Sequence, residues 1–163
     1  MASPKGYSAA QIGLHWVVAV LIVFQLIFGE DMGAAWRSFQ KGEVVVPGIS
    51  AWAHILAGIA VLVLAVWRLG LRWTRGVPEA PAGTPERSAR AADIGHKILY
   101  ALMLLAPVSG LLAWYGGISL MAEVHEWLKP AFIVFIAIHV LAALWHHFGL
   151  KDGLLDRMRK PLD

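Results

Sequence analysis

Four long apolar stretches dominate the chain, running from Ala10 to Gly29, Ile49 to Val66, Ile94 to Tyr115 and Val124 to Phe148. Each approaches or exceeds the ~20 residues that a helix rising ~1.5 Å per residue needs to cross a ~30 Å hydrocarbon layer. A lone span buries no interior, and short connections make successive helices antiparallel neighbours. The pattern predicts an all-α membrane protein, a single domain over residues 1–163 built as a four-transmembrane-helix bundle.

The polar stretches mark the ends of these elements. The first connection, AAWRSFQKGEVVVPG, is too long for a tight turn and carries Trp36 and Phe39 as interfacial anchors. The second span ends in WRLGLRW, whose Arg and Trp side chains suit the membrane boundary. Pro, Ala and Gly crowd the linker GVPEAPAGTPERSARAAD, and Thr84 with Pro85 makes a good helix start, so the third helix is expected to begin in solvent and enter lipid near His96. Pro107 predicts a kink, with Ser109 and Gly110 easing close packing beside it. Pro130 removes a backbone donor from the fourth segment, so that helix either bends there or starts there with His125 on a preceding turn.

Composition supports this reading: 58% of the residues are hydrophobic, against ~45 to 50% for a soluble domain. The chain has no cysteine, which excludes disulfides, thiolate metal sites, Fe–S clusters and covalent haem attachment. The first apolar run lacks a small-x-small cleavage site before Glu30 and Asp31 and reads as a retained helix. Arg68, Arg72, Arg75, Arg87 and Arg90 cluster between the second and third spans, and Lys151, Arg157, Arg159 and Lys160 in the tail. Such residues resist translocation, which predicts both termini in the cytoplasm. The net charge of +3 therefore reflects membrane topology and anionic lipid; no nucleic-acid surface, nucleophilic triad or phosphate loop is present.

The histidines carry the chemistry. His139 lies deep in the fourth apolar run, where an unpartnered polar group costs several kcal/mol. A single interhelical hydrogen bond would satisfy it, but its surroundings suggest more. His125 stands 14 residues earlier, which on an α-helix is four turns less ~40° and ~21 Å along the axis. The two imidazoles cannot share one ion; they suit two large cofactors at different depths. His15 enters from the same side as His139, at ~9 and ~13 Å depth, and His54 lies on the side of His125. Two bis-imidazole sites fit haem better than a bare ion, because a porphyrin brings four nitrogens and needs only two axial ligands. Gly13, Ala57, Gly58 and Ala142 are small enough to admit the disc. Each ligand should be neutral, with its other ring nitrogen satisfied by a backbone carbonyl or water.

QIGLHW at residues 11–16, AHILAG at 53–58, GHKILYALMLLAPVSG at 95–110 and HVLAALWHHFGLKDGLLDRM at 139–158 resemble segments of the bacterial cytochrome b561 proteins, small four-helix membrane haem proteins. The resemblance covers nearly the whole chain. It implies two non-covalent b haems, an inner one on His15 and His139 and an outer one on His54 and His125, in a multi-pass protein of the bacterial cytoplasmic membrane. It also implies electron exchange with ubiquinone or another quinone. On an ideal helix His146 is ~20° from the stripe of His139, making it a candidate contact for quinone or a haem propionate, while His147 is ~80° away and interfacial. Gln11, one turn before His15, faces the same region as a second such candidate. His96 is expected at the inner boundary, Arg68 and Arg72 at the membrane edge, and Trp36, Trp67, Trp73 and Trp127 as boundary anchors.

The favoured function is transmembrane electron transfer between the two haems and the quinone pool, with a soluble or membrane redox protein as further partner. One alternative is a superoxide:quinone oxidoreductase. The outer connections weigh mildly against it, since Arg37, Lys41 and Lys129 against Glu30, Asp31, Glu43, Glu123 and Glu126 sum to −2 where a small anion favours positive charge. Another is a haem-bearing subunit of a larger respiratory complex, and a colourless metal or proton transporter is the non-haem case.

Overall fold

The computed structural model describes residues 4–28 and 30–162. Four long helices form the bundle: α1 (Ala9–Ile27), α3 (Ile49–Arg75), α4 (Glu86–Gly116) and α5 (Ser119–Leu144). A short helix, α2 (Glu30–Gln40), lies between the first two long ones. All four long helices are apolar and long enough to cross a membrane, α5 together with the turn that follows it. Helix α1 packs on α3, α3 on α4 and α4 on α5, so long helices that follow one another in the chain are neighbours in the bundle.

The helix ends are set by local chemistry. Ser8 opens α1 with a reciprocal capping box: its hydroxyl accepts from the Gln11 amide N–H at 3.3 Å, and Gln11 Oε1 accepts from the Ser8 N–H at 3.0 Å. Helix α3 runs nine residues beyond the expected Val66, because hydropathy reports only the lipid-embedded part while backbone hydrogen bonding continues through WRLGLRWTR. It stops at Gly76, whose φ of 78° carries the chain out of the helix. Helix α4 starts at Pro85–Glu86, as Thr84 and Pro85 predicted, and passes through Pro107. The link to α5 is only Gly117 and Ile118, with Gly117 left-handed at φ 66°.

Helix α5 begins at Ser119, five residues before the expected start, and continues through Pro130. His125 thus sits within the helix and not on a preceding turn. At Trp145 the winding widens into a π-helical segment, Trp145–Leu150, and a 3₁₀ turn follows at Leu155–Met158.

Buried side chains are few and central. Val18, Val61, Ala65, Leu102, Met103 and Phe132 make one cluster, with Phe132 midway in sequence between His125 and His139. Outward faces carry Val17, Val20, Val23, Leu56, Val63, Leu105, Ile138 and Leu141, the inverted pattern that lipid allows.

At one end the N-terminal segment, the α3–α4 linker and the tail are tied together. Trp16 Nε1 donates to Met158 O at 2.8 Å, the Leu162 N–H to Tyr7 O at 3.3 Å, and Arg157 to Glu79 O at 2.5 Å. A Cβ on Gly6 would lie 2.5 Å from Leu162 Cβ, so this seam requires glycine there. The Arg-rich linker, the segment from Pro4 and the tail to Leu162 therefore share one end of the bundle.

Candidate functional site

Two histidine clusters lie on either side of the central apolar layer. At the end shared by the termini, the His15 ring of α1 faces His139 of α5 with centroids 6.2 Å apart. At the other end, His54 of α3 faces His125 of α5 at 6.0 Å. Two imidazoles on opposite sides of one metal, each bonded at about 2 Å with roughly 1 Å more to the ring centre, have centroids about 6 Å apart. Both pairs have that separation, and each is formed from two different helices.

The His54–His125 cluster, labelled outer after the orientation expected from the sequence, with His15–His139 labelled inner, opens on a cavity of about 420 Å³, within the size range of small-cofactor sites. Ile55, Gly58, Pro107, Gly110 and Phe132 line it together with both histidines, and α2 covers it with Met32, Gly33 and Trp36. Trp36 stacks on Phe39 at 5.3 Å, and Phe39 meets Trp114 at 6.0 Å, which seats α2 against α4. Trp36, expected as an interfacial anchor, thus also roofs the outer site, with Phe39 bracing it against α4. His125 Nδ1 lies 2.7 Å from Ala106 O, and since a carbonyl only accepts, Nδ1 carries the proton and Nε2 the free lone pair. Ser109 also donates to Ala106 O, at 2.9 Å. A Cβ on Gly110 would come within 3.1 Å of the His125 ring, so glycine is what lets the ring lie against α4.

The inner cluster holds a third imidazole. His96 of α4 sits 5.4 Å from His139, edge to face. Arg68 of α3 reaches the same place, with its guanidinium 3.3 Å from His15 Nδ1 and 5.9 Å from the Tyr100 ring, and with Nε buried and unpartnered. Since a guanidinium only donates, this contact makes His15 Nδ1 an acceptor and puts its proton on Nε2, the opposite of the His125 tautomer. Arg72 instead pairs with Asp93 at 3.0 Å.

The remaining expected residues are distributed as follows. Both ends of the Gln11 amide are engaged within the chain, in the α1 cap and in a 3.1 Å bond to Gly76 O. The π-helical segment changes the facing that ideal winding gives His146, whose Nδ1 lies 2.5 Å from Asp152 Oδ2. Burial alone would push the Asp152 carboxyl up, but hydrogen bonds with His146 and the Leu154 N–H hold it below its ordinary value. His147 packs on Phe148 and takes no part in either cluster. Gln25, not singled out in the sequence, lines the outer cavity and donates to His54 O at 2.8 Å. A polar residue inside an apolar run was its signal.

Comparison with known proteins agrees with this architecture. The family model described as prokaryotic cytochrome b561 matches residues 6–161. A protein of Cereibacter sphaeroides named cytochrome b562 is 39% identical, over 99% of both chains. A Yersinia pestis protein named probable superoxide oxidase CybB is 30% identical over 94% of this chain and 96% of its own. Cytochrome b561 homolog 1 of Escherichia coli is 30% identical over 93% of this chain and 96% of its own. With four apolar helices, paired histidines and a match along almost its full length, the chain belongs to the prokaryotic cytochrome b561 family, bacterial membrane electron-transfer proteins that carry b-type haem.

Proposed function

We propose that the protein carries electrons across the cytoplasmic membrane through two b haems, exchanging them with membrane quinone. The observation that supports this is the pair of cross-helix imidazole contacts, at 6.2 and 6.0 Å, one on each side of the apolar centre. In this reading His15 and His139 are the axial ligands of the inner haem, and His54 and His125 those of the outer one. The cavity, the small side chains of Gly58 and Gly110, and the His125 tautomer fit that group. Bound there, haem supplies reversible one-electron transfer between Fe(III) and Fe(II), and with both axial positions filled it offers no open site to a small ligand.

The chain's own residues do the rest. Helix α5 bears both His125 and His139, ~21 Å apart along its axis, and Phe132 with its neighbours keeps water out of the space between. For His15 to ligate through Nε2 its proton must sit on Nδ1, so Arg68 has to release that nitrogen; its guanidinium is then free to pair a propionate carboxylate. At the inner end, Asp152 accepts the Nδ1 proton of His146 and orients its ring, leaving the Nε2 lone pair to accept a hydrogen bond, and then the proton, from a quinol hydroxyl as the quinol is oxidised. The Arg-rich linker and both termini face the cytoplasm in this orientation.

Adding ubiquinol to purified protein under argon tests the reading: haem reduction at a rate that falls at least tenfold in His146→Ala is expected. Absence of reduction by any quinol would contradict the quinone assignment. A second reading, superoxide:quinone oxidoreductase, draws on the name of the Yersinia pestis relative and on Lys129 at the outer cavity, although Glu126 lines it too. Haem reduction by superoxide no faster than that of free haem would remove it.

A further inference from the structure

The two outer histidines are held differently. His125 gives its Nδ1 proton to Ala106 O, whereas His54 Nδ1 is buried without a partner. Gln25 Oε1 is likewise buried without a partner. Both residues line the same cavity, and they already touch through the 2.8 Å bond from Gln25 Nε2 to the His54 carbonyl. That bond commits the amide nitrogen to the backbone of His54 and leaves the amide oxygen without a partner in the cavity that both residues line. Gly58 confines the amide further, because a Cβ there would stand 3.0 Å from Gln25 Nε2. Two buried polar atoms of opposite need, on residues already in contact, should not both stay unsatisfied in an apolar interior.

We propose that Gln25 is a positioning residue of the outer haem site: with haem bound, its amide oxygen, unpartnered in this structure, turns to accept the Nδ1 proton of His54. The inference rests on the reading of His54 as an axial ligand. An acceptor on Nδ1–H fixes the tautomer, leaves Nε2 for the metal, and makes the imidazole a stronger donor. A stronger donor favours Fe(III) over Fe(II), so Gln25 lowers the potential of the outer haem relative to the same site without it. The side chain touches no metal and acts only through His54.

Potentiometric titration of the intact protein, followed optically with both haems loaded, provides the test. The two potentials are assigned with His125→Ala, which should keep only the inner haem. Gln25→Leu removes the acceptor and should raise the outer potential by about 59 mV, a tenfold change in the one-electron ratio, with the inner potential unmoved. Gln25→Glu retains a carbonyl oxygen and should leave the outer potential at or below that of the unaltered protein. A role limited to filling space would move both variants the same way. An unchanged outer potential in Gln25→Leu, or a rise in Gln25→Glu matching it, would overturn the proposal. If Gln25→Leu loses the outer haem, Gln25→Met takes its place, and loss from both would overturn the proposal too. His54→Ala separates the two levels of failure. If it keeps both haems, the axial reading has failed; if it loses the outer one while the Gln25 variants keep the original potential, only the role of Gln25 has.

Discussion

Single atoms decide whether the histidines can work as pairs. The His125 ring is fixed from two sides, by Ala106 O at 2.7 Å and by the bare Cα of Gly110, where a Cβ would stand 3.1 Å away. Gly110→Ala should therefore push the ring off its hydrogen bond, weakening the haem site proposed at His54 and His125 by about 1–3 kcal/mol, typical of overpacking, and sparing the one proposed at His15 and His139. Haem occupancy of the variant measures this, and full outer occupancy would contradict it. The four paired histidines were legible because imidazole is conspicuous in an apolar run. Gln25 and the His125–Ala106 bond were not, because both depend on how helices far apart in sequence meet. Sequence spacing likewise gave no sign that His15 meets Arg68, for that contact needs α3 to continue past the lipid boundary.

At the scale of elements, hydropathy located every long helix but misplaced most of their ends. Capping, glycine turns and the widened winding after Leu144 act through hydrogen bonds that an apolar count does not register. Helix α2 was read as a connection with two anchors, since its amphipathic face matters only once α4 and the outer cavity are beside it. The capping box at Ser8 makes a specific prediction: Ser8→Ala should lower stability by about 1 kcal/mol and loosen the Gln11 tie to Gly76, measured as an earlier denaturation midpoint. The tail turn beyond α5 depends on Asp152. Because its folded pKa lies below the ordinary 3.8, its contribution is fully present above that value and is lost as pH falls through the lower folded pKa. Amide exchange at Leu154 should accordingly quicken as pH is lowered from 5 to 3 beyond the intrinsic pH effect, and Asp152→Asn should abolish that extra dependence.

For the whole molecule, one apolar layer separates two histidine pairs that share a single long helix, and the segment from Pro4, the tail to Leu162 and the Arg-rich linker lie at the end that bears His15 and His139. That arrangement makes each pair separable by substitution while the bundle stands, since none of the four paired histidines belongs to the buried cluster around Phe132. The most direct measurement is a dithionite-minus-oxidised spectrum with pyridine haemochrome stoichiometry on the purified protein and on His15→Ala, His54→Ala, His125→Ala and His139→Ala. The account predicts two b haems per chain in the unaltered protein and one in each variant, with His15→Ala and His139→Ala losing the same spectral component and His54→Ala and His125→Ala the other. A purified chain with no haem or only one, or a His139→Ala variant that keeps both, would contradict it.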